Sequence, residues 1–289
     1  MIHRRAALGM MGAAASLVTV GCAPRANQTE ERLWTPPDLS DKRQAGLAFR
    51  KLAYSMDESI TFWWLRGTRY GVVDSVVTPF WDMYVGAWFR TRDLDDDTYE
   101  VKIASANFYT PPDSADLLEV FRNPYTGRDV AITYNPPRAW TTVMGPDGGS
   151  PFGGSMPGMT TTDQSTDKGS GYVDGDDLVI RGDMMIRAEP TDAESDARPF
   201  VVNDWSTYVG RVADVVDPSV SNPPSVQYFT DILTWPAWLE MGDQPGSYFS
   251  RCFGRKVFAY QQMPELWRDL FATALPEASR DPYSLLDDA

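Results

Sequence analysis

From Ile60 onward the chain alternates apolar and polar residues with a period of two, and each run stops at a cluster of Gly, Pro, Asn or Asp. This pattern constrains the fold more than any other feature, because successive side chains of a strand point to opposite faces. The clearest run is 178–188, where Leu178, Ile180, Met184 and Ile186 share one face and Arg181, Asp183 and Arg187 the other. Strands are also read over 60–66, 70–77, 83–92, 99–109, 117–122, 130–134, 200–216, 226–235 and 248–258, with turns at 67–69, 93–97 and 123–127. Helical periodicity is confined to the two ends. Ser40 would cap a helix over 41–54 with Ala45, Ala48, Phe49 and Leu52 as its stripe, and Pro264 opens another to Leu275 with Leu266, Trp267, Leu270, Phe271 and Ala274 on its apolar side. The sum predicts an all-β, mainly antiparallel protein: a single barrel or strongly curved sheet of about ten strands with short terminal helices. Residues 145–171, rich in Gly, Ser, Thr and Pro, read as a flexible connection, either a functional lid or disordered. Residues 40–289 are thus expected to form one β-rich domain.

Composition narrows the chemistry. Forty acidic against 26 basic residues give a net charge of -14, which argues against nucleic acid as a partner. The lone histidine is His3, inside a segment expected to be removed, so Ser-His-Asp catalysis, Cys-His catalysis and His-ligated zinc or haem are excluded from the mature chain. No metal site is read. Asp93, Asp95 and Asp97 imitate the start of a calcium loop, but Thr98 replaces its turn glycine and Ala104 stands where its bidentate acid belongs. No phosphate loop or Cys-x-x-Cys pair is present, and no cofactor is implied.

Residues 1–21 read as an export signal. Arg4 and Arg5 resemble a twin-arginine motif, an apolar stretch too short for a comfortable span follows, and Thr19-Val20-Gly21-Cys22 resembles a lipobox. Cys22 would carry the lipid and 22–39 would tether the domain to the membrane of a bacterial envelope; an ordinary cleaved signal is the alternative. Cys252 would then be the sole cysteine besides the lipidated one, a buried small hydrophobe with no disulfide partner.

Several clusters could carry a site. Trp63-Trp64-Leu65-Arg66 precedes Arg69, Tyr70 and Asp74; on a strand Trp64 and Arg66 share a face, and if it pointed inward, Arg66 would fix an anion while the indole stacked on its apolar body. A packed aromatic core with Arg66 snorkelling to solvent is the alternative. Ser105, Asn107 and Tyr109 point the same way as apolar neighbours and need partners there, a ligand or an internal network. Asp204, beside Asn203, shares a face with Phe200, Val202 and Tyr208, which would raise its pKa and suit it to moving protons, unless it caps a turn. Trp238 and Glu240 follow Pro236 and are expected at the barrel rim.

Two segments, Trp63 to Asp74 and Phe121-Arg122-Asn123-Pro124-Tyr125-Thr126-Gly127, resemble a bacterial and fungal family known only as domain of unknown function number eighteen-thirty-eight. The resemblance spans most of 47–267 and implies no activity, only a site near those segments. Three functions remain open. The first is an exported barrel binding an apolar or aromatic small molecule through Trp64, Arg66, Arg69, Tyr70, Asn107, Arg122, Asn203 and Trp238. The second is a histidine-free lyase, isomerase or cyclase in which Asp204, Asp74 or Tyr109 moves protons and Arg66 or Arg122 stabilises negative charge. The third is an envelope interaction module with outward tryptophans.

Overall fold

The computed structural model describes residues 35–94, 97–134, 137, 139–149, 159–192 and 199–287. The export segment, Cys22, most of the tether, Asp95 and part of the 145–171 connection lie outside the described residues.

Helix α1 (Lys42–Ala53) leads into three long strands, β1 (Thr61–Val73), β2 (Val76–Asp93) and β3 (Tyr99–Thr110). A small hairpin, β4 (Val120–Arg122) and β5 (Asp129–Ala131), precedes β6 (Ala139–Met144), β7 (Met159–Asp174), β8 (Asp177–Pro190) and β9 (Phe200–Arg211). Then come α2 (Val212–Val216), β10 (Val226–Leu233), β11 (Ser247–Val257), α3 (Glu265–Ala274) and α4 (Pro276–Arg280). Nine strands form one sheet in the order β6-β3-β2-β1-β11-β10-β9-β8-β7, antiparallel at each described pairing. It curls into a half-barrel, as the alternation predicts.

Four local readings change. The strand read over 200–216 ends at Arg211, and 212–216 forms the helix α2. The 67–69 turn is absent: β1 runs straight through it, and the hairpin turns at Asp74 and Ser75, both with positive φ. Gly67 serves close approach instead, since a Cβ there would overlap the Arg251 carbonyl on β11. The connection read over 145–171 contains a strand, because 159–174 is β7, paired along β8 with two bulges. Its Thr, Asp, Ser and Gly residues are polar on both faces, so no alternation marks it. Asp41, not Ser40, caps α1, its carboxylate accepting from the amides of Arg43 and Gln44.

Core packing occurs on both faces of the sheet. On the convex side, α3 lays Trp267, Leu270 and Phe271 over Phe62, Tyr84, Trp88, Ala104, Ala106 and Phe108. Gly86 permits this, because a Cβ there would overlap the Trp267 indole. On the concave side, α1 sits in one end and packs Phe49 and Leu52 among Tyr99, Val101, Leu178, Ile180 and Val212. The β4–β5 hairpin and the turn at 237–241 fill the other end, with Phe121, Val130, Leu239 and Met241 on Phe80, Trp81 and Tyr248.

The carbonyls that end α1 lack partners within the helix, and the barrel supplies them. Lys256 Nζ donates to the Lys51 and Tyr54 carbonyls at 2.9 and 2.6 Å, Ser225 Oγ to Leu52, and Trp63 Nε1 to Ala53. A buried ammonium at a helix C-terminus also complements the helix dipole. The helix is thus locked to β1, β11 and the segment before β10.

Candidate functional site

Between α1 and the filled end, the concave face encloses a cavity of about 350 Å3. Aromatic and aliphatic side chains form much of the wall: Phe49 from α1, Tyr54 just after it, Trp63 and Leu65 from β1, Phe89 from β2 and Phe229 from β10. Polar side chains interrupt it at Ser105, Lys168, Asp204, Ser206, Tyr208 and Gln227. Trp63 faces inward and Trp64 outward. The aromatic run 62–64 is apolar on both faces, so only the register of β1 against its neighbours decides which ring goes in.

One row of paired residues crosses the half-barrel: Thr166, Met184, Asp204, Asp231, Ser250, Arg69 and Trp81, from β7 to β2. Arg69 and Asp231 form a buried ion pair in its centre. Arg69 Nη1 lies 2.7 and 2.8 Å from the two Asp231 oxygens, and the Ser250 amide and hydroxyl each donate to Asp231 at 2.6 Å. The guanidinium also lies 4.3 Å from the centre of the Tyr248 ring and 3.2 Å from Met83 Sδ. Tyr109 and Tyr248 flank the pair, their phenol pKa values raised above all by burial.

Asp204 sits beside this pair and opens to the cavity. Burial, reinforced by the Asp231 carboxylate and partly offset by Arg69, pushes its carboxyl up to about 7. It can therefore exchange a proton near neutrality. Next along β9, Ser206 and the Tyr208 hydroxyl both accept from Gln227 Nε2, at 2.9 and 3.2 Å. Burial pushes the Tyr208 phenol up to about 12, so it remains a neutral donor at physiological pH. Lys168 borders the same cavity from β7, and burial lowers its ammonium to about 8.

The residues singled out from sequence divide between several places. Asp204 lines the cavity, and Arg69 lies behind it in the ion pair. Tyr109 belongs to the cluster around that pair. Asn107 is exposed near the end of the concave face of β3. Trp64, Arg66 and Tyr70 point to the convex side: Arg255 lies over Trp64, Tyr70 stacks on Phe249 at 4.8 Å, and the 61% exposed Arg66 side chain lies 3.6 Å from Asp82. This reverses the inward orientation on which the Arg66 anion site depended. Asp74 is exposed in the β1–β2 turn, Arg122 pairs with Asp129 on the surface, and Asn203 lies on the opposite face of β9 from Ser206 and Asp204. Trp238 packs on Trp81 and Tyr248 in the filled end. Cys252 is buried without a disulfide, and burial pushes its thiol up to about 11.

Lys168, Ser206 and Gln227 belong to none of the candidate clusters, and Trp63 and Tyr208 entered only as neighbours of other candidates. The signal that could have found most of them is parity: each falls an even number of residues from another inward position on its own strand, as Ser206 and Tyr208 do from Asp204. Among the described residues no group of three or more acidic, Cys or His side chains could hold a metal ion.

A family model described as a protein of unknown function, DUF1838, matches residues 195–289. That segment runs from before β9 through the C-terminal helices, and includes Asp204, Gln227 and Asp231 but neither of the two segments on which the resemblance was drawn. No curated protein matches the chain.

Proposed function

We propose that this protein binds a small, largely apolar molecule inside the half-barrel, with the polar groups of β9 and β10 fixing its orientation. The observation that carries this reading is the cavity itself, a volume of about 350 Å3 with aromatic walls and a few convergent polar groups. Such a lining is the usual chemistry of a small-molecule site. A close-packed core would fill that space with side chains. Gln227, Ser206 and Tyr208 supply directional donors and acceptors, and Asp204 offers either, according to its protonation. On this reading the export segment carries the barrel out of the cytoplasm, and Cys22 tethers it to a membrane.

The reading is tested with a neutral apolar fluorophore such as N-phenyl-1-naphthylamine. Fluorescence enhancement by the full chain, lost in Ser105→Phe and kept in Arg66→Ala, is the expected result. Equal enhancement by both variants would place the dye outside the cavity and refute the assignment. Native mass spectrometry of protein purified from its own host then gives the mass of any bound molecule.

Asp204 favours a second reading, in which the held molecule is also transformed. A carboxyl near 7 at the wall of a cavity suits general acid-base catalysis. An isomerisation or elimination lost in Asp204→Asn, with dye binding retained, separates this from simple carriage.

A further inference from the structure

The chain has only five lysines, and four have an evident structural place. Lys51 Nζ donates to the carbonyls of Val215 and Asp217, and Lys256 Nζ to two carbonyls at the end of α1. Lys42 is exposed on the first turn of α1, and Lys102 borders a surface hollow beside Glu58 and Glu100. Lys168 differs from all four. It lines the cavity, with its Nζ 3.9 Å from Met144 Sδ and 5.7 Å from the Phe49 ring centre. Among the described residues it makes no ion pair. The titratable groups that share the cavity with it are Asp204, Tyr54 and Tyr208.

Its place on β7 aims it: Gln164, Thr166 and Lys168 fall on one face of the strand in unbroken register with β8, and all three line the cavity. The register shifts only after Lys168, before Gly171. Gly169 has φ +102, and a Cβ there would lie 2.9 Å from the backbone of Ala45 on α1, so the close approach of α1 beside Lys168 depends on that glycine. An amine placed against an aromatic ring and a thioether, with no carboxylate to hold it charged, is poorly explained as a stabilising feature. It suits a nucleophile.

We propose that Lys168 captures the carbonyl group of an apolar aldehyde or ketone held in the cavity, forming a Schiff base. The proposal rests on the reading of this cavity as a ligand site and names the class of ligand. The neutral Nζ attacks the carbonyl carbon, and the carbonyl oxygen gains a proton while nitrogen loses one, giving a carbinolamine. The nitrogen lone pair then expels the hydroxyl, protonated, as water, and a C=N bond remains. One carbonyl compound and one amine give one imine and one water, with no oxidant or reductant. The proton the hydroxyl needs, and the one the imine gives back, can be exchanged with solvent water. The lowered Lys168 ammonium is consistent with this role: at pH 7.5 its neutral fraction would exceed that of an ordinary lysine roughly 200-fold.

Cinnamaldehyde is a suitable probe. The full chain is incubated with it at pH 7.5 in the presence of cyanoborohydride, which reduces the imine to a stable amine, and peptides are mapped by mass. The expected result is a gain equal to the aldehyde less one oxygen on Lys168, at least tenfold above Lys42 and Lys102. The label should vanish from the 168 peptide in Lys168→Met, and fall at least tenfold in Ser105→Phe, which obstructs the cavity while keeping the amine. Cinnamyl alcohol, which cannot form an imine, reports the cavity separately by displacing the fluorophore. Displacement with Lys168 labelled no more than Lys42 and Lys102 would overturn carbonyl capture and leave the cavity reading standing. Neither displacement nor selective labelling would overturn both.

Discussion

Replacing Asp204 with asparagine should abolish a pH dependence of stability that the wild-type chain carries. The Asp204 carboxyl rises from an ordinary value of 3.8 to about 7 on folding, through burial first and the neighbouring Asp231 second. Between those values the folded protein holds a proton that the unfolded chain has released. Stability therefore falls as pH rises through that window, and the loss is complete above about pH 8. A rise of about three pH units corresponds to about 4 kcal/mol as an upper bound. Water entering the cavity would screen the charge and leave roughly 2 kcal/mol. The asparagine side chain has nearly the shape of a protonated aspartate and does not titrate. Urea denaturation of both proteins at intervals from pH 4 to pH 9 measures the effect, and subtracting the curves cancels the other carboxylates. The variant should gain on the wild type by about 2–4 kcal/mol between pH 4 and pH 8, with a plateau beyond. Parallel curves, or a wild type that gains on the variant as pH rises, would refute the argument that this carboxyl is held protonated by burial. A carboxyl carbon titrating near 7 by NMR would give the same answer without unfolding.

Other consequences follow from the packing. Arg69→Met strands Asp231 in the interior and should cost about 3–5 kcal/mol, whereas Arg69→Met with Asp231→Leu should recover much of that, as double-mutant denaturation would read. Trp267→Ala empties the contact between α3 and the sheet and should cost about 3–5 kcal/mol by denaturant midpoint. Lys256→Met removes the donor to two carbonyls at the end of α1, at a cost of about 1–3 kcal/mol for each group left unpaired, and amide exchange in α1 should accelerate.

Strand periodicity made the sheet legible because most strands have one apolar face, and the chain ends stood out as helical for the same reason. The readings that failed were those where a residue type has two uses. Gly67 reads as a turn but serves close contact inside β1. Residues 159–174 read as a connection because neither face is apolar, yet those residues pair with β8. A strand that lines a polar stretch of cavity on one side and solvent on the other carries no hydrophobic signal. Asp204 was legible because a lone carboxylate in an apolar alternation is unusual. Arg69 drew notice only for its place in an aromatic cluster, and its partner Asp231, 162 positions away in sequence, could be found only through the strand order β1-β11-β10.

The same strand order explains why a pair so costly to bury is kept. Arg69 and Asp231 lie on β1 and β10, which are not neighbours in the sheet; β11 separates them, and Ser250 of β11 closes the bridge by donating twice to Asp231. Replacing such a pair with apolar side chains often leaves stability unchanged or improves it, so stability alone does not account for it. Two effects of the pair are specific to the cavity. It ties three strands at the level where the cavity meets the filled end, and it fixes a carboxylate next to Asp204, which helps to hold that group protonated. Arg69 lowers the Asp204 pKa while Asp231 raises it, and burial adds to the rise. A fold that needed only a stable wall could place leucine at all three positions. The arrangement present here sets the proton affinity of the one acidic group among the residues lining the cavity, the group that the proposed bound molecule would meet.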